Sequence, residues 1–386
     1  MTTEPAVKLK NRSRHRDLAI VIAMPLAFLV IGYGLRYGAY SFGHTPSFAD
    51  YLQSLCRWDC SWYVRIATDG YDGYPTANQT NVGRWAFFPL YPLMVRTVGT
   101  VFQLEILSAA VLTSTVLACA ACLVAWPLLG KDSRAYALLC AYVLSGPLSF
   151  HFTSVLTEPL FLLLTSCVLL ALKRSNYLAA GAFSALLSAT RLVGVFIVLA
   201  SLLKIYQDYR LQRPGKPFAY WILGKPQILV AILISPAGLF AYMLYLRVTV
   251  GDGLAFGHVQ RAFGRVAGNP ILFLWEGLSA VPAEGWIPSP PQWSALVAVG
   301  GLFMCVLLAW RRQYGAALFC TLCIVLPLFT NLASIVRYVG GLAPILLLGA
   351  QILSIRTDVF IVVLLLLLAS CYLVTQAWIG GHLALV

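Results

Sequence analysis

Apolar stretches of about 17 to 25 residues recur from one end of this chain to the other, each long enough to cross the ~30 Å of hydrocarbon in a bilayer. They fall at about 18–40, 87–103, 107–129, 135–151, 154–172, 177–203, 226–247, 292–310, 315–331, 338–355 and 359–378. No other feature constrains the fold as much, because a chain in lipid must satisfy its backbone hydrogen bonds internally. Composition agrees. Hydrophobic residues make up 60% of the 386 and charged residues only 11%, whereas soluble domains carry roughly a quarter charged. The expected fold class is all-α: a polytopic transmembrane helical bundle of about 9–11 membrane segments in one integral membrane domain over 1–386, with amphipathic helices in the external loops. A cytosolic enzyme and a secreted disulfide scaffold are excluded.

The formal net charge of +13 does not mark a nucleic-acid binder, since the charges sit in short loops rather than in one patch. Lys8, Lys10, Arg12, Arg14 and Arg16 precede the first apolar run and place the N-terminus in the cytoplasm. That run is too long for a signal-peptide core and reads as a retained helix. The loop 204–225 carries Lys204, Arg210, Arg213, Lys216 and Lys225 against Asp208 alone, so it is cytoplasmic. One crossing on either side of these anchors puts 41–86 and 248–290 outside. Alternation through 87–203 conflicts with Lys131, Arg134, Lys173 and Arg174 unless 87–103 is re-entrant and 177–203 is a pair of half-length helices. That arrangement brings Glu158 and Arg191 to the external side. Most cysteines lie inside apolar runs as small core residues. Cys56 and Cys60 flank a loop motif and could oxidise, although an i,i+4 pair on a helix is poorly placed for a disulfide.

The richest segment for chemistry is Arg57 to Tyr71, which with Phe48, Tyr51, Leu52 and Leu55 reads as an amphipathic helix on the outer surface that Gly70 and Gly73 end. Asp59 shares a helix face with Trp62 and Tyr63. A carboxylate held among aromatic rings at headgroup depth is a candidate proton acceptor; an aromatic belt beside a capping Asp gives the same pattern. In Phe87-Phe88-Pro89-Leu90-Tyr91-Pro92 the two prolines break an apolar run. Glu158 and Arg191 are ionisable groups within apolar stretches, where such groups pair with each other or face a polar substrate. Asp252, Gln260 and Arg265 lie in the second external loop, and Arg337 and Tyr338 follow Ser334 near a membrane face. An arginine there either binds a lipid phosphate through charge-assisted bonds or snorkels. The topology brings Asp59, Asp252 and Arg337 to one side of the membrane.

Taken together these segments resemble the PIG-V family, the transferases that add the second mannose to GPI anchors, and their prokaryotic relatives. The match runs through Trp58-Asp59-x-x-Trp62-Tyr63-x-x-Ile66-Ala67-x-x-Gly70-Tyr71, Phe87 to Pro92, Thr157-Glu158-x-x-Phe161, Ala189-Thr190-Arg191-x-x-Gly194, Gly251-Asp252-x-x-Ala255-Phe256-x-x-x-Gln260 and Ser334-x-x-Arg337-Tyr338. The resemblance implies a GT-C architecture and a polyprenyl-phosphate sugar donor, the mannose form by family preference, with its glycan end outside. It implies Asp59 as the catalytic carboxylate. The donor and acceptor would be bound by Trp58, Trp62, Tyr63, Tyr91, Glu158, Arg191, Asp252, Gln260, Arg265, Arg337 and Tyr338. Phe263 and Gly264 stand near where the family has a Trp in its Gln-x-x-Trp stretch, and Pro159 follows Glu158; both depart from the pattern. The compact loops point to a prokaryotic plasma-membrane relative whose acceptor, a glycan, lipid or protein, differs from a GPI precursor.

On this reading Asp59 is the general base of a single inverting displacement, and arginines from the set Arg191, Arg265 and Arg337 hold the departing phosphate. No cofactor is required, although Asp59 with Asp69 or Asp72 would bind a divalent metal weakly. The competing class is a transporter or flippase of lipid-linked sugars, which needs no general base. His44, His151 and His258 lack the spacing of a lipid-phosphate hydrolase. The topology has a direct test. With native cysteines removed, single cysteines replacing Thr76 and Gly215 are expected to differ in intact cells, an impermeant reagent labelling the first and not the second. Equal labelling would remove the external site.

Overall fold

The computed structural model describes residues 4–42, 45–71, 83–212, 215–282 and 288–380, with side chains from residue 17 onward. Asp72, Gly73, His44 and Arg213 lie outside the described residues, as do the side chains of Lys8, Lys10, Arg12, Arg14 and Arg16. Every regular element among those described is a helix. The chain runs α1 (Glu4–Tyr40), α2 (Phe48–Ser54), α3 (Cys60–Asp69), α4 (Leu90–Phe102), α5 (Ile106–Leu128), α6 (Ser133–Ser145) and α7 (Ser149–Thr153). It continues through α8 (Glu158–Lys173), α9 (Tyr177–Ser188), α10 (Ile197–Gln212), α11 (Phe218–Leu223), α12 (Pro226–Ile234) and α13 (Ala237–Thr249). The last third holds α14 (Ala255–His258), α15 (Pro270–Ser279), α16 (Pro290–Trp310), α17 (Tyr314–Leu328), α18 (Ile335–Gly340), α19 (Ala343–Leu353) and α20 (Thr357–Ile379).

The molecule is an integral, multi-spanning helical membrane protein. Five described helical stretches are long and apolar enough to cross a bilayer, or six when the α12–α13 pair, bent by 42° at Ser235-Pro236, counts as one span. This is fewer than the nine to eleven expected, because several apolar runs are broken into helices of 10–17 residues. Proline and local polarity make the breaks. Gly146-Pro147 separates α6 from α7, Pro344 opens α19 within its first turn, and Ala189–Arg191 interrupts the run 177–203. A short helix leaves orphan amides at its start, and side chains satisfy several of them. Asp132 caps α6, Asn176 caps α9 and Asn269 caps α15.

Small residues set how closely the helices approach, as lipid-embedded packing requires. A Cβ on Gly32 would stand 1.9 Å from the Leu144 carbonyl oxygen, so only glycine lets α1 lie on the end of α6. Gly181 brings α9 against the backbone of α12 at Ala231, and Gly238 brings α13 against Ala185. The buried core divides into two main clusters. One joins α3, α4, α8, α9, α10, α16 and α17, while the other joins α5, α6 and the facing sides of α1, α19 and α20.

At Gly181 a Cβ would meet the Ala231 backbone at 2.6 Å, and backbone cannot swing aside. Gly181→Val is expected to lower the melting temperature of purified protein by an amount matching about 1–3 kcal/mol of overpacking. Gly300→Ala, where nothing lies within 4 Å, serves as the control and is expected to leave it unchanged.

Candidate functional site

Four ionisable side chains from distant parts of the chain form one connected cluster. Glu158 is the first residue of α8, where the helix N-terminus favours a negative charge, and it is almost wholly buried. Its Oε1 accepts from Arg337 Nε at 2.7 Å and from Arg191 Nη2 at 2.6 Å. Arg337 also donates from Nη1 to Asp59 Oδ2 at 2.7 Å. Arg191 Nε donates to Thr157 Oγ1 at 2.7 Å, and its guanidinium lies over the rings of Tyr338 and Phe161.

Local backbone features aim each group. Arg191 occupies the extended break between α9 and a 3-10 turn over Leu192–Phe196, so its side chain leaves the helical stack. Arg337 lies on the short α18, entered through Ser334 in the left-handed region at φ 64°. Pro159 sits in the first turn of α8, where its missing N–H leaves no bond unmade.

Asp59 departs from the expected geometry. The segment 48–69 is two helices, α2 and α3, joined by a turn in which Trp58 has φ 56°. Because no continuous helix links Cys56 and Cys60, their Cα atoms stand 5.2 Å apart and the two form a disulfide. This corrects the expectation of a pair poorly placed for a disulfide, which assumed that both residues lie on one helix. Asp59 precedes α3 without capping it, which leaves its side chain to reach Arg337. That side chain is 33% exposed, against 1% for Glu158.

A cavity of about 210 Å³ opens beside the cluster, walled by Asp59, Tyr63, Arg191, Gln260, Arg265, Ser334, Arg337 and Tyr338, with Phe87, Phe88, Phe256, Phe263 and Leu326 as its apolar side. Tyr63, Arg191, Gln260, Arg265, Arg337 and Tyr338 thus meet Asp59 there. The other sequence candidates stand elsewhere. Trp62 lies behind the wall, stacked on Phe87 and edge-on to Phe263. Tyr91 is a layer further back, its ring edge-on to Tyr63 and its hydroxyl 2.7 Å from Ser114 Oγ. Glu158 underlies the arginines without lining the cavity. Trp58 packs against the core with its indole nitrogen buried.

Asp252 is not among the lining residues either. It pairs with His258 Nδ1 at 2.6 Å and caps the following turn at the Leu254 amide. Desolvation is the largest single influence and works against its ionisation, but the contacts with His258 and Leu254 and the nearby Arg247 charge together outweigh it and hold the carboxyl below the usual range. Asp69 sits at the far end of α3, about 15 Å along the helix from Asp59, and pairs with Arg84 at 3.4 Å. Asp59 and Asp69 therefore do not form a metal pair, and the described residues hold no cluster of three or more His, Cys, Asp or Glu suited to a metal.

Sequence reasoning missed two residues. Phe263, conspicuous in the sequence only as a departure from a motif, lines the cavity and packs on both Trp62 and Phe87. Arg36, inside the first apolar run, is fully buried; an arginine within such a run was the available signal. No family model and no curated protein matches the chain, so any functional reading rests on the site itself.

The cluster's two carboxylates differ in what their removal exposes. Glu158→Gln leaves Arg337 and Arg191 without their shared counter-charge inside the bundle, and removing one partner of a buried pair costs about 3–5 kcal/mol. Asp59→Asn leaves Arg337 paired with Glu158, and a partly solvated ion pair such as Asp59 with Arg337 is worth about 1 kcal/mol or less. Thermal unfolding of the two variants in detergent is expected to show a large drop for the first and a small one for the second. Equal drops would contradict the hierarchy.

Proposed function

We propose that this chain is a membrane glycosyltransferase of the GT-C type, related to the PIG-V family, that moves a sugar, mannose by family preference, from polyprenyl phosphate to an acceptor hydroxyl at the external membrane face. The observation that carries the reading is that a partly exposed carboxylate, Asp59, faces a cavity whose other charged groups are the guanidiniums of Arg191, Arg265 and Arg337. Five of the six segments on which the resemblance rests contribute to its wall, and the sixth supplies Glu158 beneath it.

Charge supports a phosphate ligand. Asp59 and Glu158 balance Arg337 and Arg191, and Arg265, whose polar contact is a long 3.4 Å bond to Ser334 Oγ, adds one further positive charge. Size supports binding of a head rather than a whole lipid, since about 210 Å³ is below the ~300–1,000 Å³ of drug-sized sites.

The acceptor oxygen attacks the anomeric carbon while its proton passes to Asp59. The bond from that carbon to the phosphate oxygen breaks with its electron pair, and polyprenyl phosphate leaves from the opposite face with inversion. Arg337 engages Asp59 through Oδ2, so Oδ1 is the oxygen for the proton. Arg265 and Arg337 meet the charge that grows on the leaving phosphate, and Tyr63, Phe87 and Phe263 keep water from the anomeric centre. No step requires a metal.

Labelled polyprenyl-phosphate mannose supplied with membrane extract tests the proposal. Wild type is expected to pass label to an acceptor, and Asp59→Asn to lose transfer by ~10²-fold or more at matched protein and saturating donor. Comparable turnover by the two would remove Asp59 from the base role. No covalent product from wild type, with label only changing sides of the membrane, would replace the enzyme with a transporter of lipid-linked sugar.

A further inference from the structure

Away from the cavity, the C-terminal end of α1 buries a positive charge with no negative partner. Arg36 is fully buried. Its Nη1 donates to the Leu144 carbonyl at 3.0 Å and to Ser149 Oγ, and its guanidinium lies 4.8 Å from the centre of the Tyr33 ring. Nε and Nη2 have no partner. No described carboxylate is within salt-bridge distance. Asp50, next in sequence to Tyr51, is turned outward onto the Ser47 amide and hydroxyl.

The neighbours add no negative charge. Tyr51, on α2, is fully buried in a box of Tyr33, Tyr37, Tyr40 and Phe48, and its hydroxyl makes no hydrogen bond of good geometry. Burial pushes that hydroxyl's pKa up, while the nearby Arg36 pulls it down through its charge and a side-chain hydrogen-bonding contact, so the two groups face each other. On α20, Cys371 Sγ reaches Ser149 Oγ at 3.8 Å and closes the far side.

A buried ion without a counter-charge is destabilising, and each buried donor left unmade adds to the cost. One negative charge that accepts several hydrogen bonds would remove both penalties. We propose that Arg36 and Tyr51 form a binding site for a small monovalent anion of the halide class, held by Arg36 Nε and Nη2 and the Tyr51 hydroxyl. Burial of both residues excludes a phospholipid headgroup as the ligand. The site ties α1 to α2, and α2 leads directly into the turn that carries Asp59. Its existence does not depend on the glycosyl-transfer reading.

The experiment is thermal unfolding of the purified full chain in sodium chloride or bromide against sodium gluconate at matched ionic strength. Halide is expected to stabilise saturably, the folded-to-unfolded ratio rising about 11-fold at ten times the dissociation constant. Arg36→Met is expected to abolish that dependence. Should it fail to fold, Tyr51→Phe removes one donor and keeps the ring, and is expected to raise the halide midpoint several-fold. Equal stability in halide and gluconate, dependence retained in Arg36→Met, or an unchanged midpoint in Tyr51→Phe would each overturn the proposal. Crystals grown in bromide are expected to show an anomalous peak against the Arg36 guanidinium, and its absence would also overturn it.

Discussion

The bond from Arg337 to Glu158, inside a bundle with little else that is charged, is the interaction on which the site depends. Neither charge would be tolerated alone at this depth, since desolvation of an unpaired ion outweighs ordinary packing gains. Glu158 takes both Arg337 and Arg191 on a single oxygen, so one carboxylate fixes the start of α8, the break after α9 and the short helix α18 relative to one another. These are three elements with irregular backbone. In lipid, irregular backbone is permitted only where protein or a polar cavity surrounds it. The breaks in the helices aim the side chains that the ion cluster then joins.

The layer behind this cluster is aromatic. Tyr63, Phe87, Tyr91, Trp62 and Phe263 meet in edge and stacked contacts between 5.3 and 6.0 Å. Phe263 reaches this layer from the end of the 3-10 turn Val259–Phe263 that follows α14, far from Trp62 in sequence. The rings also make α3 rigid behind Asp59, while the disulfide and the left-handed Trp58 fix the turn ahead of it. Asp59 is thus held from both sides with its own carboxylate left uncommitted to capping.

Hydropathy made the bundle readable because lipid imposes one requirement on every span, and α5, α16 and α20 match the expected runs within a few residues. Periodicity says nothing of where a run breaks, so the interruption at Ala189–Arg191 followed from charge placement, whereas the α2–α3 turn did not. A left-handed Trp58 has no local signature, since neither glycine nor asparagine stands there. With the turn unseen, Cys56 and Cys60 looked like helix neighbours rather than partners. The site was legible to the extent that its groups are charged. Asp59, Glu158, Arg191 and Arg337 are conspicuous in an apolar chain. Trp58, Trp62 and Tyr91 are of types common at membrane faces, and nothing in their spacing tells a cavity wall from the layer behind it. Arg36 escaped notice because a single charge near the end of a long apolar run leaves the hydropathy of α1 intact.

The cluster's asymmetry bears most directly on chemistry. Arg337 stands between two carboxylates that share its charge but not its surroundings. Glu158 is sealed under the arginines, where loss of its charge would unbalance three elements, so it is suited to hold geometry and unsuited to exchange protons. Asp59 is one-third exposed, touches Arg337 through one oxygen, and lines the open side. Pairing the same cation with one closed and one open carboxylate separates structure from reactivity within a single network. Under the proposed mechanism, a proton taken by Asp59 would leave Arg337 still anchored on Glu158, with its Nη1 released toward the negative charge of the leaving phosphate.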